Sequence, residues 1–140
     1  MRRFLLPFVL MLLSACGGGD SGVAVAPTTT APYSQVDLVV GTGAVAAAGS
    51  QVSVAYTGWL HDSTKPDAKG AQFDSATNFP FVVGAGNIIR GWNTGVLGMR
   101  VGGQRRLVIP PDLAYGNSSP GPGIPANATL VFDITLNAVQ

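Results

Sequence analysis

The sequence contains no glutamate, one histidine and one cysteine, and charged residues make up only 11% of its 140 positions. Each scarcity removes a class of chemistry. With Cys16 alone, no intrachain disulfide can form. Metal centres draw on several His, Cys or carboxylate ligands, and one histidine among scattered aspartates does not supply them, so no metal site is expected. His61 is also the only base open to a Ser-His-Asp triad, and no nucleophile-elbow sequence accompanies it. It opens a polar stretch and is expected to be solvated. All seven acidic residues are Asp, a poorer helix former than Glu, which argues against long helices. Arg105-Arg106 is the one basic cluster beyond the N-terminus, so nucleic acid is not an expected partner.

What is present is 19 Gly, 10 Pro and 46% hydrophobic residues, a composition suited to one small β-rich domain. The N-terminus stands apart. Arg2-Arg3 followed by the apolar run Phe4–Leu13 has the pattern of a signal peptide, too short to span a membrane. It leads into Leu13-Ser14-Ala15-Cys16, which looks like a bacterial lipoprotein processing site, with Cys16 as the lipidated mature N-terminus. The expected organisation is a signal peptide over residues 1–15, a lipidated Cys16 and a Gly/Ser/Thr/Pro tether over 16–32, and a domain over 33–140. The expected location follows: exported and lipid-anchored in a bacterial cell envelope, on the periplasmic side of an outer membrane if the host has one. Removing residues 1–15 takes Arg2 and Arg3 with it, leaving six Lys+Arg against seven Asp, a net charge of 6 − 7 = −1.

Along the domain, Val36–Val40 reads as a first strand. The following GTGAVAAAG contains a Gly-x-Gly-x-x-Ala match, but Gly49 cuts the alanine run before a helix can form, so it reads as a turn rather than a dinucleotide site. Gln51–Leu60 alternates with the period of a half-buried strand: Val52, Val54, Tyr56, Gly58 and Leu60 against Ser53, Ala55, Thr57 and Trp59. His61–Gln72 is polar and reads as an exposed loop, followed by Phe73-Asp74-Ser75 and a strand Phe79–Val83. One short apolar helix, with Trp92 near its start, precedes a strand Arg105–Ile109. Pro110–Ala128 is a stiffened loop, and Leu130–Val139 alternates as the last strand. A lone helix cannot bury its own apolar face, so it must lie on a sheet. The expected class is α+β, with about five antiparallel strands around one short helix.

With acid–base and nucleophilic machinery missing, what remains is a set of aromatic and apolar residues beside loops and one carboxylate, Asp74, directly after Phe73. An aromatic cleft with a few polar groups is a common way to hold a small apolar group. At these residues the sequence resembles the FKBP-type peptidyl-prolyl cis–trans isomerases. The matching segments occur in family order: Val54-Ala55-Tyr56-Thr57-Gly58, Phe73-Asp74-Ser75, Ile88-Ile89-Arg90-Gly91-Trp92, Gly95-Val96-Leu97-Gly98-Met99, Leu113-Ala114-Tyr115-Gly116 and the run Ile124–Phe132 among them.

The resemblance implies a curved antiparallel sheet wrapped around the helix, with the cleft between them. Trp92 would be the floor under a proline ring, and Tyr56, Phe79, Val83, Ile88, Ile89 and Phe132 the walls. Phe73 would help close the cleft beside Asp74, and Ile124 would overhang its rim. The Ile89 backbone N–H and the Tyr115 hydroxyl would each bind a substrate carbonyl. The implied activity is Xaa-Pro isomerisation in exported proteins, without a cofactor. The implied partners are proline-containing polypeptides, the macrolide-type inhibitors of the family, and a membrane through the lipid on Cys16. Two departures stand out. Only Ser75-Ala76-Thr77-Asn78 separate Asp74 from Phe79, so the basic residue that many family members place there to pair with the aspartate is absent, and Tyr56 becomes the expected partner of Asp74. The polar loop before Phe73 is also long. A non-catalytic proline-directed chaperone or binding module with the same cleft is the alternative.

Overall fold

The computed structural model describes residues 30–86 and 88–140. The expected signal peptide, Cys16 and most of the tether lie outside the described residues. In chain order the elements are β1 (Ser34–Val39), β2 (Gln51–His61), β3 (Lys69–Val82), α1 (Arg90–Val96), β4 (Gln104–Ile109), a single 3-10 turn (Pro111–Leu113) and β5 (Leu130–Val139). The five strands form one sheet in the order β1-β4-β5-β2-β3, and every neighbouring pair is antiparallel. The expected α+β class and the sheet around one helix are both found.

The alternation of β2 decides which face is covered: Val52, Val54, Gly58 and Leu60 are buried, while Ser53, Ala55, Thr57 and Trp59 stay half-buried on the other side. On β4 and β5, Leu107, Ile109, Leu130, Ile134 and Leu136 are fully buried. Helix α1 lies on this face and buries Gly91, Trp92, Gly95 and Val96. Its approach is close because two of those residues lack a side chain. A Cβ at Gly91 would stand 2.5 Å from Ile109 Cγ2, and one at Gly95 would stand 2.4 Å from Leu107 Cδ1. Gly98, at φ +84°, lets the chain turn away after the helix.

Seven residues leave a helix with few internal hydrogen bonds, and its terminal carbonyls need outside donors. Arg105 supplies them. Its guanidinium donates to Gly95 O at 2.7 Å and Leu97 O at 3.1 Å, and its Nε donates to Asp37 at 2.6 Å. One side chain thus ties the helix end to β4 and to the edge strand β1.

Three features differ from the sequence expectation. Phe73-Asp74-Ser75 and Phe79–Val83 are not separate pieces; they belong to the single 14-residue strand β3 and its end. Ser75-Ala76-Thr77-Asn78 contains no breaker, and Pro80 is tolerated because β3 is a sheet edge. Register shifts opposite Val54/Tyr56 and Gly58/Trp59 bend the β2–β3 pair. Second, the polar loop is shorter than expected, since β3 already begins at Lys69. Third, His61 is 7% exposed rather than solvated. Its N–H donates to Thr129 O at 2.9 Å, and the next residue, Asp62, folds the chain back by accepting from the Thr64 N–H and hydroxyl.

On the outer face of the sheet, Lys69 lies 4.1 Å over the Trp59 ring and donates to Asp133 at 2.7 Å. Arg106 takes both oxygens of the same carboxylate, at 2.8 and 3.1 Å. Burial pushes the Asp133 carboxyl up, but the bonds and charges of Arg106 and Lys69 outweigh it and hold it below the usual carboxylate range.

Candidate active site

Between α1, strands β2, β3 and β5, and the loop after the 3-10 turn lies a cleft of about 420 Å³. Trp92, on the first turn of α1, is 3% exposed and forms its base. Four rings surround the indole: Tyr56 at 4.8 Å, Phe132 at 5.2 Å, Phe81 at 5.6 Å and Phe79 at 5.8 Å between centroids. Tyr56, Phe79 and Phe132 meet it edge to face, the arrangement that aromatic quadrupoles favour. Phe73 on β3 closes against Phe132 at 5.6 Å and 89°. Gly58 makes that meeting possible, because a Cβ there would stand 2.6 Å from Phe73 Cζ and 2.8 Å from Phe132 Cε1. The rings therefore hold one another, and none can turn aside without disturbing its neighbours.

The polar groups are few. The Tyr56 hydroxyl donates to Asp74 Oδ2 at 2.5 Å, and the Ser75 N–H donates to Asp74 Oδ1 at 2.8 Å. This is the partner expected for Asp74 in a chain lacking the family's basic residue. Burial first, then the bond to Asp74 and its charge, push the Tyr56 hydroxyl well above its ordinary pKa, so it stays a donor throughout the neutral range. Tyr115 is 38% exposed at the rim, and burial together with the Asp74 charge raises its hydroxyl as well. Trp92 Nε1 is a buried donor with no partner among the described residues.

The loop carrying Tyr115 is fixed by hydrogen bonds to its main-chain carbonyls. Arg90, at the start of α1, donates to Asp112 O at 2.5 Å. Gly116 N–H donates to Pro111 O at 2.7 Å, and Asn127 N–H to Gly116 O at 2.8 Å. Ile89 is the N-cap residue of α1: its carbonyl accepts from Trp92 and Asn93, while its own N–H has no acceptor among the described residues.

Of the residues singled out from sequence, Tyr56, Phe73, Asp74, Phe79, Ile88, Ile89, Trp92, Tyr115, Ile124 and Phe132 all line this cleft. Val83 does not, and its assignment as a wall residue is corrected. It follows the end of β3, is 2% exposed, and is strapped to the loop before β2 by bonds with Gly49 and Ser50. Phe79, Phe81 and Val83 share a face by period, but only Phe79 reaches the opening. Pro120, Gly121 and Pro122 also line the cleft and were not anticipated. Their signal was the stiff proline-rich loop itself, which carries no periodicity to say where it points.

The comparisons with known proteins bear on the same residues. Positions 43–137 match the family model described as FKBP-type peptidyl-prolyl cis-trans isomerase. FK506-binding protein 1B of Neurospora crassa is 43% identical over 109 residues, covering 76% of this chain and 96% of that protein. FK506-binding protein 4 of Dictyostelium discoideum is 50% identical over 102 residues, 71% of this chain, which spans only 26% of that longer relative. Among solved structures, a peptidyl-prolyl cis-trans isomerase of Pseudomonas syringae pv. tomato superposes with a TM-score of 0.64 at 37% identity, covering 77% of this chain and 75% of the other. The expected location is corrected by the sequence relatives. The sequence relatives named above are eukaryotic, as is the 39 kDa FK506-binding nuclear protein of Drosophila melanogaster, 44% identical over 116 residues. That company conflicts with a lipid-anchored protein of a bacterial envelope. An aromatic cleft held between sheet and helix, with the family's sequence running through both, leads to one assignment: the chain belongs to the FKBP-type peptidyl-prolyl cis-trans isomerases.

Proposed function

We propose that this isomerase accelerates Xaa-Pro rotation by desolvating and twisting the peptide in the cleft over Trp92. Rotation breaks no covalent bond but faces a barrier of about 18–20 kcal/mol. The planar amide is charge-separated by resonance and is well solvated by water; the twisted amide is less so. A dry aromatic pocket therefore penalises the planar ground state more than the transition state, and hydrogen bonds to a twisted peptide add to the difference. A millionfold acceleration corresponds to about 8 kcal/mol.

In this reading Trp92 carries the proline ring, and Tyr56, Phe73, Phe79, Ile88 and Phe132 exclude water from it. The Ile89 N–H and the Tyr115 hydroxyl donate to the carbonyls on either side of the twisting bond. Asp74 orients Tyr56 and sets the polarity of one wall, and Ile124 with Pro120 and Pro122 overhangs the entrance. The observation that carries the reading is the near-complete burial of Trp92 in a ring of aromatics, with no His, Lys or Arg among the described residues that line the cleft. Substrates are proline-containing polypeptides, and the pocket is offered to macrolide ligands of the FK506 type, for which its relatives are named.

An isomer-specific protease-coupled assay on a Leu-Pro or Phe-Pro tetrapeptide tests the reading on the full chain. A rate above the uncatalysed one, abolished by an FK506-type ligand, is expected. The second reading, a proline-directed binding module without turnover, is favoured by the absence of a cationic partner at Asp74. It predicts ligand binding with only the uncatalysed isomerisation rate.

The isomerase domain is proposed to occupy residues 33–140. Lipid on Cys16 is a separate chemical proposal from Leu13-Ser14-Ala15-Cys16, with no compartment attached to it; the intact mass of the purified chain decides it.

A further inference from the structure

Among the described residues that line the cleft, Asp74 is the single formal charge and none is a cation. The described basic side chains are occupied elsewhere or distant in the fold. Lys69 and Arg106 hold Asp133 on the outer face of the sheet, and Arg105 is bound to Asp37 and the end of α1. Arg100 donates to Gly43 O at 3.3 Å. Lys65 lies in the exposed turn between β2 and β3. The nearest by sequence to the cleft residues is Arg90, which lines an adjoining recess sharing Ile88, Ile89 and Tyr115 with the cleft and is turned toward Asp112 O.

Asp74 itself is exposed, and among the described residues the groups bonded to it are neutral donors, the Tyr56 hydroxyl and the Ser75 N–H. Two neutral donors fix the carboxylate without cancelling its charge. Burial raises the hydroxyls of both Tyr56 and Tyr115, and the Asp74 charge adds to the rise at each.

Resting on the isomerase reading, we propose that Asp74 is a specificity-determining carboxylate, selecting prolines flanked by Lys or Arg over prolines flanked by Asp or Glu. The long aliphatic stem of a lysine can pack along Phe73 and the Tyr115 ring while its ammonium reaches the carboxylate at the wet rim. An acidic neighbour meets the same charge with nothing to compensate it. Because Asp74 is solvated, the effect is moderate and salt-sensitive: about a five- to tenfold Lys-Pro over Glu-Pro ratio in kcat/KM at low ionic strength.

The test uses the full chain and a matched Ala-Xaa-Pro-Phe series with Xaa as Lys, Leu or Glu, assayed at low salt and at about 1 M salt, where the Debye length falls to about 3 Å. The Lys/Glu ratio is expected to collapse toward unity in high salt and in the Asp74→Asn variant at low salt. The ratio within each protein is the readout, so a change in absolute rate on substitution does not enter. Should Asp74→Asn turn over too slowly to assay, calorimetric affinities for the Lys and Glu peptides give the same ratio. An even response of the unmodified chain, with Leu-Pro still accelerated, overturns the proposal and leaves the isomerase intact. A preference that survives in Asp74→Asn overturns it too. If no peptide is accelerated, the isomerase reading is lost and this one with it.

Discussion

At the scale of single residues, shape and charge have unequal shares in the cleft. Phe132 touches Trp92, Tyr56 and Phe73 at once, so it sets both the dryness of the pocket and the position of three rings. Asp74 touches Tyr56 and its own neighbour, Ser75. If desolvation carries the reaction, Phe132→Leu lowers kcat/KM on a Leu-Pro peptide by roughly tenfold or more, at about 1.4 kcal/mol per tenfold, while Asp74→Ala costs only about two- to threefold. Leucine is chosen because alanine at a core position would also cost about 3–5 kcal/mol of stability. Comparable losses in the two folded variants would speak against desolvation. Tyr56, Phe73, Asp74, Trp92 and Phe132 were all legible in the sequence because each sits in a segment with fixed neighbours. Val83 was misplaced because strand period gives the face but not how far along that face the cleft extends. Pro120 and Pro122 were missed because a loop has no period to read.

At the scale of elements, the contact between α1 and β4 decides where the cleft floor lies. Alanine is intrinsically a better helix residue than glycine by about 1 kcal/mol, so Gly95→Ala on an open helix would stabilise it. Here the added Cβ meets three atoms of Leu107, at 2.4, 2.6 and 3.0 Å, and Leu107 is fully buried with nowhere to swing. The contact outweighs the propensity, and a net loss of about 1–3 kcal/mol is expected from urea midpoints. An unchanged or raised midpoint would show that α1 sits farther from the sheet. The outer face offers a second check at this scale, by pH. Asp133 has a folded pKa below its ordinary value of 3.8. Its contribution is therefore complete above the unfolded pKa and fades as pH falls through the folded one. The stability gap between the natural chain and Asp133→Asn should be widest at neutral pH and close steadily below about pH 4; a gap independent of pH would exclude the ion pairs as its source. The alternating strands β2 and β5 and the single helix were readable in advance. The length of β3 was not, because a mostly polar middle, residues 74–78, separates Phe73 from Phe79 and Phe81 on its covered face and resembles a loop.

At the scale of the whole molecule, the sheet separates two environments. Trp92 is sealed into the aromatic floor on the inner face, with its Nε1 unpartnered, while Trp59 lies on the outer face beneath the ammonium of Lys69. The class of fold could be read from composition and one lone helix, and the alternation of β2 already set Trp59 on the face away from Tyr56; its cross-strand neighbours needed the register, which brings Trp59 opposite Val131 and Gln72. The consequence of this two-sidedness is optical. The chain has two tryptophans, one in each of these environments. A proline ligand should shift and dim only the buried indole, whereas titrating Asp133 should alter only the one beneath Lys69. Trp59→Phe would leave a single fluorophore that reports occupancy of the cleft without any label, read as an emission change on adding a Leu-Pro peptide. A silent Trp59→Phe variant would mean that peptides do not reach the indole.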